Sequence, residues 1–398
     1  MKKKRLLLIG LLVLLFSTGC QKKEGIIRAE EWQDKYPEIY ASYMRNEEME
    51  ETTFGGSVPI DYLEKYPDLK VFYDGYGFSK EYLRARGHSY ALEDVMNTAR
   101  PKAGASCLSC KTSDFIEVLE RDGVEVNKLN FEEFVAENPQ MSTISCYDCH
   151  KNEPGVVNLT RSHLTDALNH IDEEINSKTL ACAQCHVEYY MDAETKKVIL
   201  PWEKGTDTDS MLAYYEENNV TDWVHPTTGA DLLKAQHPEF ETFNGSIHYN
   251  MGLSCADCHM PEIEEKGDDL LRSHQWTSPL KSEKGLNKSC ISCHGGTTDD
   301  LIAKVEDVQR GVYDKQEKVS AELLDFIERL TAAIEDGVLS EDDLTHLRDI
   351  HRRAQFKWDF VFVENGEGFH NSVRAHEDLD GARSLIQEGI KILEKYDR

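Results

Sequence analysis

The chain has 398 residues, a formal net charge of −28, 40% hydrophobic residues and 30% charged ones. That length suits one large domain or two ordinary ones, and the composition excludes disorder and collagen-like repetition. So acidic a surface excludes nucleic acid as a partner, and an anionic substrate would need a locally basic pocket to approach.

The N-terminus reads as an export signal. Lys2, Lys3, Lys4 and Arg5 precede an apolar run from Leu6 to Phe16, the charged-then-apolar order of a secretory leader. The run is too short to span a bilayer as a stable helix. Ser17-Thr18-Gly19-Cys20 follows, small residues ending in a cysteine, so residues 1–19 are expected to be removed and Cys20 to be lipidated. The leader takes away four positive charges and no negative ones, which moves the net charge from −28 to −32. An exported protein is expected, lipid-anchored at the outer face of the cytoplasmic membrane or in the periplasm.

From Gln21 to Arg100 the pattern is loop-rich, with turns such as Tyr73-Asp74-Gly75-Tyr76-Gly77 and no long periodic run. From Ala103 to Gly296 cysteine pairs dominate, joined by short helices such as one starting at Ser113 and stopping at Gly123. Beyond them Leu301, Val305, Val308, Val312, Val319, Leu323, Phe326 and Leu330 recur at spacings of 4, 3, 4, 7, 4, 3 and 4, the stripe of a long amphipathic helix. Two more helices begin near Ser340 and Ser372. The stripe either covers the core or also forms a subunit interface, and a homodimer is expected. The expected fold is mainly α with little β and long C-terminal helices. Residues 20–300 carry the cysteine pairs, and 301–398 form a helical region completing the same domain.

Ten of the eleven cysteines fall into five C-x-x-C pairs: Cys107/Cys110, Cys146/Cys149, Cys182/Cys185, Cys255/Cys258 and Cys290/Cys293. Only Cys20 is left over. Each pair is followed at once by a nitrogen ligand: Lys111, His150, His186, His259 and His294. With 15 His in the chain, four His in five such places would arise by chance on the order of once in 100,000. Two thiols three residues apart can each form a thioether to one haem vinyl group while the next side chain turns inward to bind iron. Zinc ribbons, iron-sulfur clusters and structural disulfides also use paired cysteines, but none demands a His after every pair. The reading is therefore five covalent haems c. Porphyrin then supplies much of the apolar core, in keeping with the mean hydropathy of −0.55.

The pairs start 39, 36, 73 and 35 residues apart, so only the third interval is expanded and it is the place to seek function beyond electron relay. A haem iron with two strong protein ligands can only pass electrons, whereas one that binds substrate needs an open position. Lys111 is the exception among the five. It would have to bind as a neutral amine, which costs more than using an imidazole. Different iron electronics at a catalytic site would justify that cost.

The chain resembles the ammonia-forming, pentahaem cytochrome c nitrite reductases. The matching stretches are Gly75-Tyr-Gly-Phe-Ser-Lys80, Arg86-Gly-His-Ser-Tyr-Ala91, Ala181-Cys-Ala-Gln-Cys-His-Val-Glu-Tyr189, Lys234-Ala-Gln-His-Pro238 and Ser254-Cys-Ala-Asp-Cys-His-Met-Pro261, with Gly368-Phe369-His370 beyond. Lys in the first haem motif is itself the family's mark. The resemblance implies six-electron reduction of nitrite to ammonium, with Lys111 as proximal ligand of the active haem. It makes His150, His186, His259 and His294 the proximal ligands of the other four. Distal partners are then His274 for the second haem, His88 for the third, His370 for the fourth and His248 for the fifth. The distal pocket maps to Arg100, Tyr189 and His237, which suit a small anion: a cation to hold it, a hydrogen-bond donor and a proton relay.

A calcium ion is also implied, held by side chains of Glu188 and Gln236 and main-chain carbonyls of Tyr189 and Lys234, an all-oxygen set that suits calcium. The implied electron donor is a membrane-anchored multihaem quinol dehydrogenase. Two features depart from the family's pattern: Leu108 stands where Trp is common, and the stretch from Arg100 to Cys107 is short. Two other readings stay open on the sequence, a pure multihaem electron carrier and a related reductase acting mainly on hydroxylamine or sulfite.

Overall fold

In the computed structural model, which describes residues 25–266 and 269–396, the chain is mainly helical with three two-stranded antiparallel ribbons. The expected leader and Cys20 lie outside the described residues. Residues 29–97 form short helical turns of three to eight residues, as their lack of periodicity leads one to expect. Helix α1 (Ser113–Asp122) begins where the Thr112 hydroxyl accepts the Asp114 amide at 3.1 Å and ends at Gly123, whose φ is +86°.

The cysteine pairs sit on helical turns with local causes. Helix α2 (Cys146–His150) is opened by a capping box in which Asp148 accepts the Ser145 amide at 2.7 Å. Helix α3 (Ser177–Ala183) carries Cys182 at its end. Helix α4 (Cys255–His259) repeats the box, with Asp257 accepting the Ser254 amide at 2.9 Å and its hydroxyl at 2.7 Å. A helical turn puts residues i, i+3 and i+4 on one face, so in both motifs the two thiols and the imidazole share a side.

The expanded interval holds ribbon β1 (Tyr190–Met191)–β2 (Val198–Ile199) and ribbon β3 (Trp223–Val224)–β4 (Asp231–Leu232). The third ribbon, β5 (Glu262–Lys266)–β6 (Asp269–Arg272), follows the fourth cysteine pair.

Three long helices complete the chain: α5 (Thr298–Glu335), α6 (Glu341–Phe362) and α7 (Ser372–Leu393), capped by Thr297, Ser340 and Asn371. All three pack on one another. Leu301, Val305, Val312, Val319, Leu323, Phe326 and Leu330 of α5 are buried and Val308 is half-buried. From Val312 to Leu330 the stripe packs against α6, α7 and the segment holding Leu63, Leu69 and Phe72, and Leu301, Val305 and Val308 line a large internal cavity.

One buried ion pair fastens this bundle to the expanded interval. Lys234 Nζ lies 3.0 Å from Asp359 Oδ2 of α6, with side-chain exposures of 1% and 0%. Asp359 also accepts the Tyr73 hydroxyl at 2.5 Å and the Ala235 amide at 3.0 Å. Removing one partner would strand a buried charge at a cost of about 3–5 kcal/mol, so the pair fixes where residues 234–237 sit. No described helix is long and apolar enough to cross a membrane.

Candidate haem and substrate site

All ten paired cysteines line one cavity of about 2240 Å³. Lys111 and the eight histidines expected to bind iron line the same cavity. A pocket for one drug-sized ligand holds roughly 300–1,000 Å³, so this space suits several large groups together.

The histidines stand in pairs. Ring centroids are 5.8 Å apart for His88 and His186, 6.3 Å for His150 and His274, 6.1 Å for His259 and His370, and 6.1 Å for His248 and His294. An imidazole–metal bond is about 2 Å, and a five-membered ring with bonds near 1.33 Å has its centroid roughly 1.1 Å from each atom. Two rings on opposite sides of one metal therefore place their centroids about 6.2 Å apart. The structure brings together the pairs that the resemblance implies, at the spacing one iron between them requires.

Which nitrogen is free is also legible. Nδ1 of His150 donates to the Val156 carbonyl at 2.8 Å, that of His259 to Thr277 at 3.0 Å and that of His274 to Arg272 at 3.0 Å. Nδ1 of His186 meets Glu239 at 3.3 Å, and that of His370 meets Glu364. A ring that donates from Nδ1 offers Nε2 to a metal, the usual arrangement of a ligating histidine and its outer partner.

Lys111 lacks such an opposite ring among these pairs; Arg100, Tyr189 and His237 border the cavity instead. The Arg100 guanidinium lies 4.2 Å over the Phe78 ring, and its Nε donates to the Thr98 hydroxyl at 3.2 Å. Burial raises the Tyr189 hydroxyl well above its usual range, and the adjacent thiols of Cys110 and Cys107 add to the rise. His237 sits 6.4 Å from His186. Burial pushes its imidazole down to about 4, Glu239 opposes this, and Lys111 deepens it while it carries its proton. The ring is thus neutral at pH 7, close to the first motif.

The oxygen set is built in the expanded interval. Glu188 is 1% exposed, accepts the Tyr215 hydroxyl at 2.8 Å and accepts the Gln236 amide at 2.6 Å. The Gln236 side chain reaches the Lys234 carbonyl at 3.0 Å. Among the described residues no three His, Cys, Asp or Glu side chains converge as a metal site. The set rests on one carboxylate, one amide and main-chain oxygens, donors that fit a hard cation rather than a transition metal.

Comparison with known proteins decides the family. The profile of the cytochrome c552 family matches residues 28–394. The chain belongs to the cytochrome c552 family. A cytochrome c-552 of Bacteroides thetaiotaomicron is 32% identical over 93% of this chain and 78% of its own. The cytochrome c nitrite reductase subunit NrfA of Nitratidesulfovibrio vulgaris is 32% identical over 92% of this chain and 78% of its own. The solved cytochrome c nitrite reductase catalytic subunit of Desulfovibrio desulfuricans, described as having two calcium sites, superposes with a TM-score of 0.84 at 29% identity, covering 92% of this chain and 86% of its own. Haem c is the cofactor of this cytochrome family, and the paired cysteines, ring pairs and cavity all fit it.

Two site residues escape a reading of the sequence alone. Glu239 and Glu364 are 8% and 2% exposed and contact expected iron ligands. The only sequence signals are weak: Glu239 follows His237-Pro238, and Glu364 opens the glycine-bearing run that ends at His370. A second missed feature joins three motifs. Buried Arg161 reaches Asp148 of the second motif at 2.6 Å and the Ser109 carbonyl of the first at 3.1 Å. Beside it the Thr160 amide donates to Gln184 of the third at 2.6 Å.

Proposed function

We propose that the protein is a cytochrome c nitrite reductase that converts nitrite to ammonium, with Lys111 ligating the haem that meets substrate and four bis-histidine haems relaying electrons. One observation carries the reading, the asymmetry of the five motifs. Four end in His and have a second ring at 5.8–6.3 Å, while the first ends in Lys111 and is bordered by Arg100, Tyr189 and His237. The nitrite reductases of N. vulgaris and D. desulfuricans support it at 32% and 29% identity. In this reading His150 and His274 hold the second haem, His186 and His88 the third, His259 and His370 the fourth, and His294 and His248 the fifth.

A haem with an open position supplies a site for the anion and single electrons to reduce it. Nitrite needs six electrons and eight protons to give ammonium and two waters. The chain's own residues attract the anion, hold it and move protons. Arg100 presents a planar fork that matches two oxygens of a small oxyanion. The Tyr189 hydroxyl donates a hydrogen bond into the same space, and the neutral His237 ring can take up and pass on a proton. A calcium ion held by Glu188, Gln236 and the carbonyls of Tyr189 and Lys234 would stiffen the segments that present Tyr189 and His237.

The enzyme is proposed to act outside the cytoplasm, held by lipid at Cys20 and fed by a membrane-anchored multihaem quinol dehydrogenase. A homodimer is proposed as well, and its interface would not use the buried apolar stripe of α5. The deciding experiment is anaerobic turnover with a reduced dye, measuring ammonium formed per nitrite consumed. One ammonium per nitrite is expected. Turnover with hydroxylamine or sulfite but not nitrite, or a protein with no high-spin haem, would overturn the proposal in favour of a related reductase or an electron carrier.

A further inference from the structure

The histidines of the ring pairs differ in what grips their outer nitrogen. His150, His259 and His274 donate to neutral main-chain carbonyls, and the buried Nδ1 of His88 has no partner. His186 and His370 instead face carboxylates. Glu364 accepts His370 Nδ1 and the Gly366 amide (2.8 Å) on one oxygen and the Gly368 amide (3.0 Å) on the other. The next residue, Asn365, donates its main-chain amide (3.1 Å) and its side-chain amide to one oxygen of Glu239. The other oxygen of Glu239 accepts His186 Nδ1 at 3.3 Å. Two consecutive residues thus reach the expected ligands of two haems, Glu364 touching His370 directly and Asn365 reaching His186 through Glu239.

The backbone is shaped for this grip. A Cβ at Gly366 would lie 2.7 Å from both Glu364 Oε1 and His370 Nδ1, so the bond between them passes where any side chain would stand. A Cβ at Gly368, whose φ is +81°, would lie 2.6 Å from Val312 of α5. The run Glu364-Asn-Gly-Glu-Gly-Phe-His370 is built around one hydrogen bond and pressed against the bundle.

We propose that Glu239 and Glu364 are positioning residues that lower the reduction potentials of the third and fourth haems, and that segment 363–370 links the two. The inference rests on His186 and His370 being iron ligands, as proposed above, and is independent of the substrate. A carboxylate on the outer N–H makes the imidazole a stronger base and places a full negative charge near the iron, which favours the ferric over the ferrous state. Each couple moves one electron, ferric to ferrous, with the carboxylate remaining an anion and no atom transferred. Position gives the effect a use. Helix α4 of the fourth motif packs on helix α3 of the third, and Cys110 Sγ of the first lies 3.9 Å from the Gln184 carbonyl of the third, so the fourth motif adjoins the third and the third adjoins the first. Lowered couples at the fourth and third positions push electrons toward Lys111.

The test is a spectroelectrochemical and EPR titration of the five-haem protein carrying Glu364→Gln, Glu239→Gln or Gly366→Ala. Each Gln variant is expected to favour the ferrous state of one haem at least tenfold, about 59 mV upward for a one-electron couple, and the two should act on different haems. Gly366→Ala adds no charge and should move the same haem as Glu364→Gln. Four low-spin signals should persist throughout. Unchanged midpoints in both Gln variants, or a uniform shift of all five haems, would overturn the proposal. If Glu364→Gln does not mature, Glu239→Gln decides alone. His370→Ala is the control for the underlying assignment: failure to create a new high-spin haem would refute His370 as a ligand, whatever the potentials show.

Discussion

A histidine that holds iron and one that faces substrate differ in what their loss does. Replacing His88, His248, His274 or His370 with Ala is expected to turn one low-spin haem high-spin, because each stands 5.8–6.3 Å across from a motif histidine. Replacing His237 is expected to leave the spin balance alone and cut turnover about 10²- to 10⁴-fold, the usual loss when a positioned proton donor goes. EPR of the resting protein and ammonium production check both halves. A new high-spin signal in His237→Ala would mean that the 6.4 Å contact with His186 is itself a ligand pairing. The motif residues were legible in the sequence because thioether attachment dictates local spacing. Distal partners lie far from their motifs along the chain, and only the family resemblance proposed them. Glu239 and Glu364 left only weak traces in the sequence. They are two of 73 acidic residues, and nothing local separates a carboxylate on a ligand from one in water until the chain is folded.

At the scale of elements, helix ends were the most readable features because their causes lie within four residues. Ser113 to Gly123, Ser340 and Ser372 each fall at or beside an observed boundary. The partner of the α5 stripe was not readable, since a stripe says that a face is covered and not by what. Helix α7 shows why packing needs the fold. Gly389 lies in its interior, where Ala would normally help a helix by about 1 kcal/mol. Here a Cβ would lie 2.4 Å from the Phe326 ring of α5, which is 0% exposed and walled in by the core. Overpacking of that kind costs about 1–3 kcal/mol, so the clash outweighs the propensity gain. Gly389→Ala is expected to lower the thermal midpoint while leaving the haem spectrum at room temperature unchanged. A raised midpoint would show that α5 and α7 can move apart more easily than their packing suggests.

At the scale of the whole molecule, the bundle that carries the long helices should also report acid. His351 of α6 is 0% exposed. Its Nε2 meets the Gln355 side-chain oxygen at 3.0 Å, its Nδ1 meets the Thr228 hydroxyl at 3.1 Å, and the His225 ring lies 5.1 Å away. The neutral ring is therefore fully bonded, and no carboxylate is among these contacts to welcome a charge. Burial first, and His225 second, push its imidazole down to about 3 from 6.5. The unfolded chain, with an ordinary imidazole, binds this proton near pH 6.5, and the folded chain refuses it until about 3. Stability from the neutral ring is complete above pH 6.5 and falls as pH drops through that window, by about 1.4 kcal/mol per pH unit for one proton. Histidines that bind iron in the proposed reading would add slope of the same sign on release, so the total is not diagnostic. The difference is. His351→Asn keeps a polar side chain but has no ring to protonate, and it is expected to remove about one proton from the slope of unfolding free energy between pH 6 and 5. Denaturant titrations of wild type and variant at both pH values measure this directly. Parallel slopes would mean that His351 already takes up its proton within the folded bundle.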